Sequence, residues 1–463
     1  MRLFCSFFLA AFLLAAEPAD WIWSARYVLT SSPKQPVIQN GAVAVRADRI
    51  VGVGTRAEID RRFQAKQRLD RPDALIAPGL VNTHTHAAMS LLRGLADDLR
   101  LQDWLEKYIF PAEAKNVSPD FVRWGTKLAC AEMLLGGTTT FTDMYYFEDV
   151  VAEAAKEAGM RGVLGETIIG FPVADAKTPA DALKLAERFI VRFRDDPLIV
   201  PAVAPHAIFT NSDETLKAAR ALANKYRVPA LIHLSETKRE NDETQAKRKN
   251  TPTRALNALG FFEGRTVAAH SVWVDSGDIE ILRLRHVGVA HCPSSNMKLA
   301  SGVAPVVRMR ALGIAVGLGT DGAAGSNNDL NLLEEMDLAT KLQKVVASDP
   351  QALPAAVAFE MATIGGARVL GLQNEIGSLD PGKRADMILV GLDQPHAIPL
   401  YEPLSQFVYA LKASDVRDVM VNGKLVVRDR QILTMDMKQV AAKAAELQSK
   451  VRASLAAPTS SRK

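Results

Sequence analysis

Apolar and polar positions along the chain fall into distinct regimes. Over residues 17–75 they read as short strands separated by turns: Ala25-Arg26-Tyr27-Val28-Leu29-Thr30, Gly41-Ala42-Val43-Ala44-Val45 and Arg49-Ile50-Val51-Gly52-Val53-Gly54. Over 76–372 apolar strands alternate with helical patterns, and the strands end near Thr83, Asp143, Glu166, Pro205, Leu234, His270, Cys292 and Thr320. Eight such ends with intervening helices predict an α/β fold, a (β/α)8 TIM barrel. Strands return over 373–435, as Ala385-Asp386-Met387-Ile388-Leu389-Val390 and a hairpin across 416–427 whose two-residue turn is Asn422-Gly423. The two strand groups, one from each chain end, can pair into one small β-sandwich. Residues 436–463 read as an alanine- and lysine-rich helix to Leu455, followed by a polar tail.

The first residues follow another pattern. Arg2 precedes an apolar run from Leu3 to Leu14, then Ala15-Ala16-Glu17-Pro18. A positive charge, a short apolar run and small residues before a polar boundary predict a secretory signal peptide over 1–16. The run is too short to span a bilayer comfortably, so the mature protein is expected to start near Glu17 with no stable membrane span. It is expected to be exported, to a periplasm, and the absence of a Cys after the boundary gives no sign of lipid attachment. The alternative is a buried N-terminal strand or an uncleaved anchor.

Composition narrows the rest. With 48% hydrophobic residues the chain can bury a sizeable core, and its 56 basic against 52 acidic residues leave a formal charge of only +4. A nucleic-acid binder identified by charge would show a basic stripe, so that class is set aside. Three cysteines occur, and Cys5 would leave with the signal; Cys130 and Cys292 are expected as buried free thiols.

Of eight histidines, five lie at expected strand ends. Pro78-Gly79-Leu80-Val81-Asn82-Thr83-His84-Thr85-His86 places two of them two residues apart, hence on one face of a strand. His206 follows Pro205, Ala230-Leu231-Ile232-His233-Leu234-Ser235-Glu236 sets a His and a Glu three apart, and His270 ends another apolar run. Gly319-Thr320-Asp321-Gly322 closes the last strand on an acid. One His at a strand end is usually a satisfied polar residue, but the strand ends of a barrel converge. Three imidazoles and one carboxylate, His84, His86, His233 and Asp321, suit a borderline divalent ion such as Zn²⁺, with Fe²⁺, Ni²⁺ or Mn²⁺ as alternatives. Such an ion would acidify a water; Glu236 could take and pass on its proton, and His270 could hold the attacking oxygen or polarise the substrate.

These marks resemble the amidohydrolase superfamily over about residues 25–430, and the resemblance implies a distorted barrel and a sandwich built from both chain ends. No lysine stands where a carbamylated bridge would be expected, so the implied site is mononuclear. Within the superfamily the chain is similar to the methylthioadenosine/S-adenosylhomocysteine deaminases and the triazine chlorohydrolases grouped with them. The similarity rests on 86–94, Trp104-Leu105, Phe110-Pro111-Ala112-Glu113, Pro205-His206, 294–299 and 322–328. It implies that Glu113 and His206 bind ribose hydroxyls and that Glu236 also contacts the substrate. The substrate is then a small molecule, an adenine nucleoside or its thioether, and ammonia leaves. A guanine- or pterin-type deaminase or a triazine-type chlorohydrolase is the alternative, and a homo-oligomer remains open. A non-catalytic relative would be expected to lack ligands or Glu236, and none is missing.

One departure bears on specificity. Some members that accept S-adenosylhomocysteine carry an Arg near the end of the third strand, where this chain has Glu166. An acid facing the substrate carboxylate would repel it, which favours methylthioadenosine or adenosine unless an Arg or Lys from a nearby loop compensates.

Overall fold

The computed structural model describes residues 16–456. The expected leader over 1–16 therefore lies, but for its last residue, outside the described residues. Four strands open the chain: β1 (Glu17–Leu29), β2 (Val37–Arg46), β3 (Arg49–Thr55) and β4 (Phe63–Pro78). Eight follow: β5 (Leu80–Thr85), β6 (Thr138–Tyr145), β7 (Arg161–Ile168), β8 (Ile199–Pro205), β9 (Ala230–Leu234), β10 (Thr266–His270), β11 (Gly288–His291) and β12 (Val316–Leu318). Four more close it: β13 (Met387–Gly391), β14 (Val416–Val421), β15 (Lys424–Arg428) and β16 (Gln431–Ile432).

Strands β5 to β12 lie in chain order, and each pairs in parallel with the next. Helices cover the outer face, so both faces of these strands are buried, as in β7 at every position. The helix Pro179–Phe193 illustrates how. Thr178 caps it by accepting from Asp181 N, and Ala182, Ala186, Phe189, Ile190 and Phe193 form a buried stripe at helical spacing.

The barrel is distorted at two places. β8 and β9 share only the Val203–Ala230 pair, and β9 instead meets the chain beyond β8, where His233 N donates to His206 O at 3.0 Å. Side chains help close the seam between β12 and β5. Thr83 Oγ1 donates to Leu318 O at 2.8 Å, Asn82 Nδ2 to Thr320 Oγ1 at 2.8 Å, and Asp321 N to His84 O at 3.0 Å.

The strands from both chain ends form one eight-stranded sheet, ordered β16-β15-β14-β13-β4-β1-β2-β3. The expected sandwich is thus a single sheet that curls over. Its β3 edge reaches the segment before β13, where Ile50 N donates to Lys383 O at 2.9 Å and Gly382 N to Ile50 O at 2.8 Å. Trp23, Val43, Ile76, Leu389 and Met420 fill the enclosed core. The expected hairpin turn is present: Asn422 and Gly423 both take positive φ, 51° and 76°, as a type I′ turn requires.

Sheet and barrel join at Gly79, the single residue between β4 and β5; a Cβ there would lie 2.1 Å from Thr139 Oγ1. They are also joined by Arg161 of β7, which donates to Asp386 at 2.9 Å through Nε with both side chains buried. The helix Met437–Ala456 packs on the helices Phe110–Asn116 and Pro119–Leu135. Cys130 and Cys292 are free and buried. Among the described residues no helix is long and apolar enough to cross a membrane.

Candidate active site at the barrel mouth

The carboxyl ends of the barrel strands meet around a cleft. His86, Glu113, His206, His233, Glu236, His270 and Asp321 all line it, and His84 lies just beneath, its ring 4.9 Å from that of His86 and 5.0 Å from that of His233. All eight side chains singled out in the sequence are therefore brought together.

Backbone conformation aims several of them. Ser235, His270 and Asp321 take φ of 48°, 68° and 62° where their strands end. Left-handed geometry costs a residue with a Cβ roughly 1–2 kcal/mol, and such strain concentrates at functional sites. The turns turn the chain sharply, so that Glu236, His270 and Asp321 face the barrel axis rather than continuing outward.

Outer hydrogen bonds orient the rings. His86 Nδ1 donates to Met144 O at 2.7 Å, His233 Nδ1 to His206 O at 2.8 Å, and His270 Nδ1 to Asn296 Oδ1 at 3.0 Å. In each case Nδ1 carries a proton and Nε2 faces inward, the atom a metal ion would take, in the arrangement metal-binding histidines adopt. Asp321 is held through Oδ2 by Ser295 Oγ at 2.7 Å.

The donor set fits a divalent ion. His84, His86 and Asp321 offer donor atoms within 4.8 Å of one another, and so do His84, His233 and His270. Asp321 Oδ1 is 3.4 Å from His84 Nε2 and 3.3 Å from His86 Nε2. Ligand atoms around a tetrahedral ion at about 2.0–2.1 Å are separated by about 3.3–3.4 Å. His84 Nε2 is buried without a hydrogen-bond partner.

Charge gives the same answer. Burial drives the His84 imidazole down to about 4 despite the pull of Asp321. Burial acts on His86 in the same sense, but Asp321, Asp143 and the Met144 carbonyl outweigh it and raise that ring to about 9. One positive charge thus belongs beside Asp321, where a cation would replace the proton.

Glu236 lies beside the cluster, with Oε2 3.8 Å from His270 Nε2, and burial raises its carboxyl above the usual range. Its loop is held by Glu240, which accepts from Ser235 N at 3.1 Å and Glu236 N at 2.8 Å. Glu113 accepts from Tyr145 Oη at 2.6 Å, and burial pushes it up to about 7. Across the cleft His206 meets Thr210 Oγ1 at 3.1 Å, and burial pulls it down to about 3.

Glu166 is not where the sequence placed it. Thr167 lines the cleft, while Glu166 turns the other way, buried, and accepts from Glu148 N at 3.1 Å. The expected repulsion of a substrate carboxylate by Glu166 therefore has no basis. Other residues went unassigned in the sequence. Asp143 accepts from Ala87 N at 2.7 Å and Thr85 Oγ1 at 2.9 Å, bracing the turn after His86; Glu240 and Tyr145 act similarly for Glu236 and Glu113. Asp143 stands near an expected strand end, two residues before the end of β6, whereas nothing local marks the other two. The segments that carry the resemblance meet: Trp104 Nε1 donates to Ala324 O at 2.8 Å, and Lys298 Nζ to Gly325 O at 2.8 Å and Asn328 Oδ1 at 3.1 Å.

Known proteins share this arrangement of elements. A family model described as "Amidohydrolase family" matches residues 75–426. A 5-methylthioadenosine/S-adenosylhomocysteine deaminase of Thermodesulfovibrio yellowstonii is 48% identical over 409 residues, 88% of this chain and 93% of that protein. The solved structure of an adenosine deaminase from Xanthomonas campestris with bound zinc aligns with a TM-score of 0.93 at 40% identity, covering 95% of this chain and 100% of that one. An atrazine chlorohydrolase from Arthrobacter aurescens, at 23% identity and a TM-score of 0.84 over 92% of this chain and all of that one, shares the fold. On the strength of the family match and of relatives this similar across nearly their whole length, the chain belongs to the amidohydrolase family.

Proposed function

We propose that this protein is a metal-dependent hydrolytic deaminase of adenine nucleosides or their 5′-thioethers: methylthioadenosine, S-adenosylhomocysteine or adenosine. The observation that carries this reading is that Glu113 and His206 share one cleft with the histidine–aspartate cluster. A carboxylate that accepts two hydrogen bonds and an imidazole that makes one suit the vicinal hydroxyls of a ribose, which a free base lacks. The names of the similar deaminases support the same substrate class.

His84, His86, His233 and Asp321 would hold the ion, and zinc is the favoured occupant because three imidazoles and a carboxylate suit it. Bound there, a divalent ion supplies a nucleophile at neutral pH by acidifying a water. Glu236 would accept a proton from the attacking water and deliver it to the ring nitrogen beside the amino-bearing carbon. Its raised affinity for a proton suits both acts. His270 and Asp321 would hold the attacking oxygen as it bonds to the amino-bearing carbon. Glu236 would then carry the proton of the new hydroxyl to the amino group, so that the carbon–nitrogen bond breaks and ammonia leaves behind a ring carbonyl. The leader-like pattern over 1–16 favours export to a periplasm, which cell fractionation would test.

The deciding experiment is ammonia release by metal-loaded protein from adenosine, methylthioadenosine, S-adenosylhomocysteine and guanine, with Glu236→Gln as control. Turnover of an adenine nucleoside, lost in the variant, is expected. Turnover of guanine alone would overturn the nucleoside reading.

A further inference from the structure

Two phenylalanines flank the way out of the cleft, and each lies three residues from a residue assigned to the ribose. Phe110 precedes Glu113 by one turn of the helix Phe110–Asn116, and Phe209 follows His206, its ring 6.0 Å from the imidazole. Together with Leu105 they line both the deep cleft and an outer vestibule. Phe110 is met edge-on by Phe171, with ring centres 5.2 Å apart. A ribose held between Glu113 and His206, with its base at the histidine–aspartate cluster, would have its 5′ carbon on the side of this neck, since Phe110 and Phe209 line both the cleft and the vestibule.

The neck is apolar, and among the described residues no lysine or arginine lines the cleft behind it. Its charged side chains there are the acids Glu113, Glu236 and Asp321, besides the histidines. Beyond it, Arg239 and Lys247 both face Glu243, at 2.7 and 3.8 Å.

Resting on the deaminase reading, we propose that Leu105, Phe110, Phe171 and Phe209 form a collar that selects the 5′ substituent, favouring a small uncharged thioether. A methylthio group buries its methyl against the collar and sets its sulfur against aromatic rings, where it is attracted. A 5′-hydroxyl in the same place loses water without gaining a partner. A chain ending in ammonium and carboxylate must desolvate both charges beside apolar walls and acids. A pocket of this kind discriminates by roughly ten- to two-hundredfold.

The test is kcat/KM for methylthioadenosine, S-adenosylhomocysteine and adenosine on the metal-loaded wild type and on Phe209→Ala and Phe110→Leu. The wild type is expected to prefer methylthioadenosine to each of the others by about tenfold or more. The ratio of methylthioadenosine to adenosine is expected to fall several-fold in Phe209→Ala, and in Phe110→Leu should the first variant misfold. A wild type that uses S-adenosylhomocysteine as well as methylthioadenosine would overturn the collar. Loss of that use in Arg239→Ala would assign the charged tail to the vestibule instead. Adenosine turnover without a thioether preference defeats the collar alone, whereas no turnover of any adenine nucleoside defeats the deaminase reading and the collar with it.

Discussion

Asn296 Oδ1 stands 3.0 Å from His270 Nδ1 and fixes the ring so that its Nε2 faces Glu236 at 3.8 Å. His270 also takes a positive φ of 68°, and the bond to Asn296 sets the tautomer of its ring. Asn296→Ala is expected to lower kcat/KM by about 10–100-fold, the usual cost of losing an outer partner of a site histidine. Steady-state kinetics with metal content measured per chain checks this. Equal loss of metal and activity would show that Asn296 supports the ion rather than the ring.

Glu236→Gln keeps the shape of the side chain and removes its capacity to carry a proton. The proposed mechanism predicts a fall in kcat of about 10²–10⁴-fold with metal content unchanged. A variant that retains most of its activity would remove Glu236 from the proton path.

Burial raises Glu113 to about 7, so it changes charge within the working range of a neutral-pH enzyme. Above that value it is a carboxylate able to accept from both ribose hydroxyls; below it, the proton occupies one of those sites. KM for adenosine is therefore expected to rise as pH falls through about 7, and Glu113→Gln to abolish that dependence. A KM profile that is the same in both proteins would detach Glu113 from the ribose.

The Arg161–Asp386 pair joins barrel to curled sheet with both partners buried, and Asp386 Oδ1 also accepts from Asn422 N at 2.6 Å. Removing one member leaves the other charged and unpaired. Asp386→Ala is expected to lose about 3–5 kcal/mol of stability, read by chemical denaturation. A replacement of both partners by apolar residues should recover much of it.

Chelation is expected to abolish activity and lower the thermal midpoint, since an ion held by the folded state alone stabilises it. At a free concentration one hundred times its dissociation constant that contribution is about 2.7 kcal/mol. Calorimetry with and without added zinc measures it. An unchanged midpoint would mean that the cluster around His84 is stable without an ion.

Strand ends were legible where a short apolar run closes on a polar residue or a turn, as in Ala230–Leu234 and Thr266–His270. His84 and His86 could be paired at once, since side chains two apart on a strand share a face. Glu166 was not legible for a related reason. Every residue of β7 is buried, so its sequence offers no polar–apolar alternation to say which side faces the cleft. The phase came from the barrel, and it presents Thr167 instead. Likewise Glu240 looks like a surface acid of the helix Lys238–Arg248 until the fold buries it under the Ser235–Glu236 turn.

What the sequence by itself determined is whatever depends on local period and spacing: alternating strands and helices, the Asn422–Gly423 turn, and the placing of His84, His86, His206, His233, His270 and Asp321 where strands end. Tertiary structure alone decided which of these atoms approach one another, which outer groups lock them, and that Phe110 and Phe209 meet at one neck. The physical reason is that barrel closure and strand phase are collective properties, set by packing between elements distant along the chain, and no single segment encodes them.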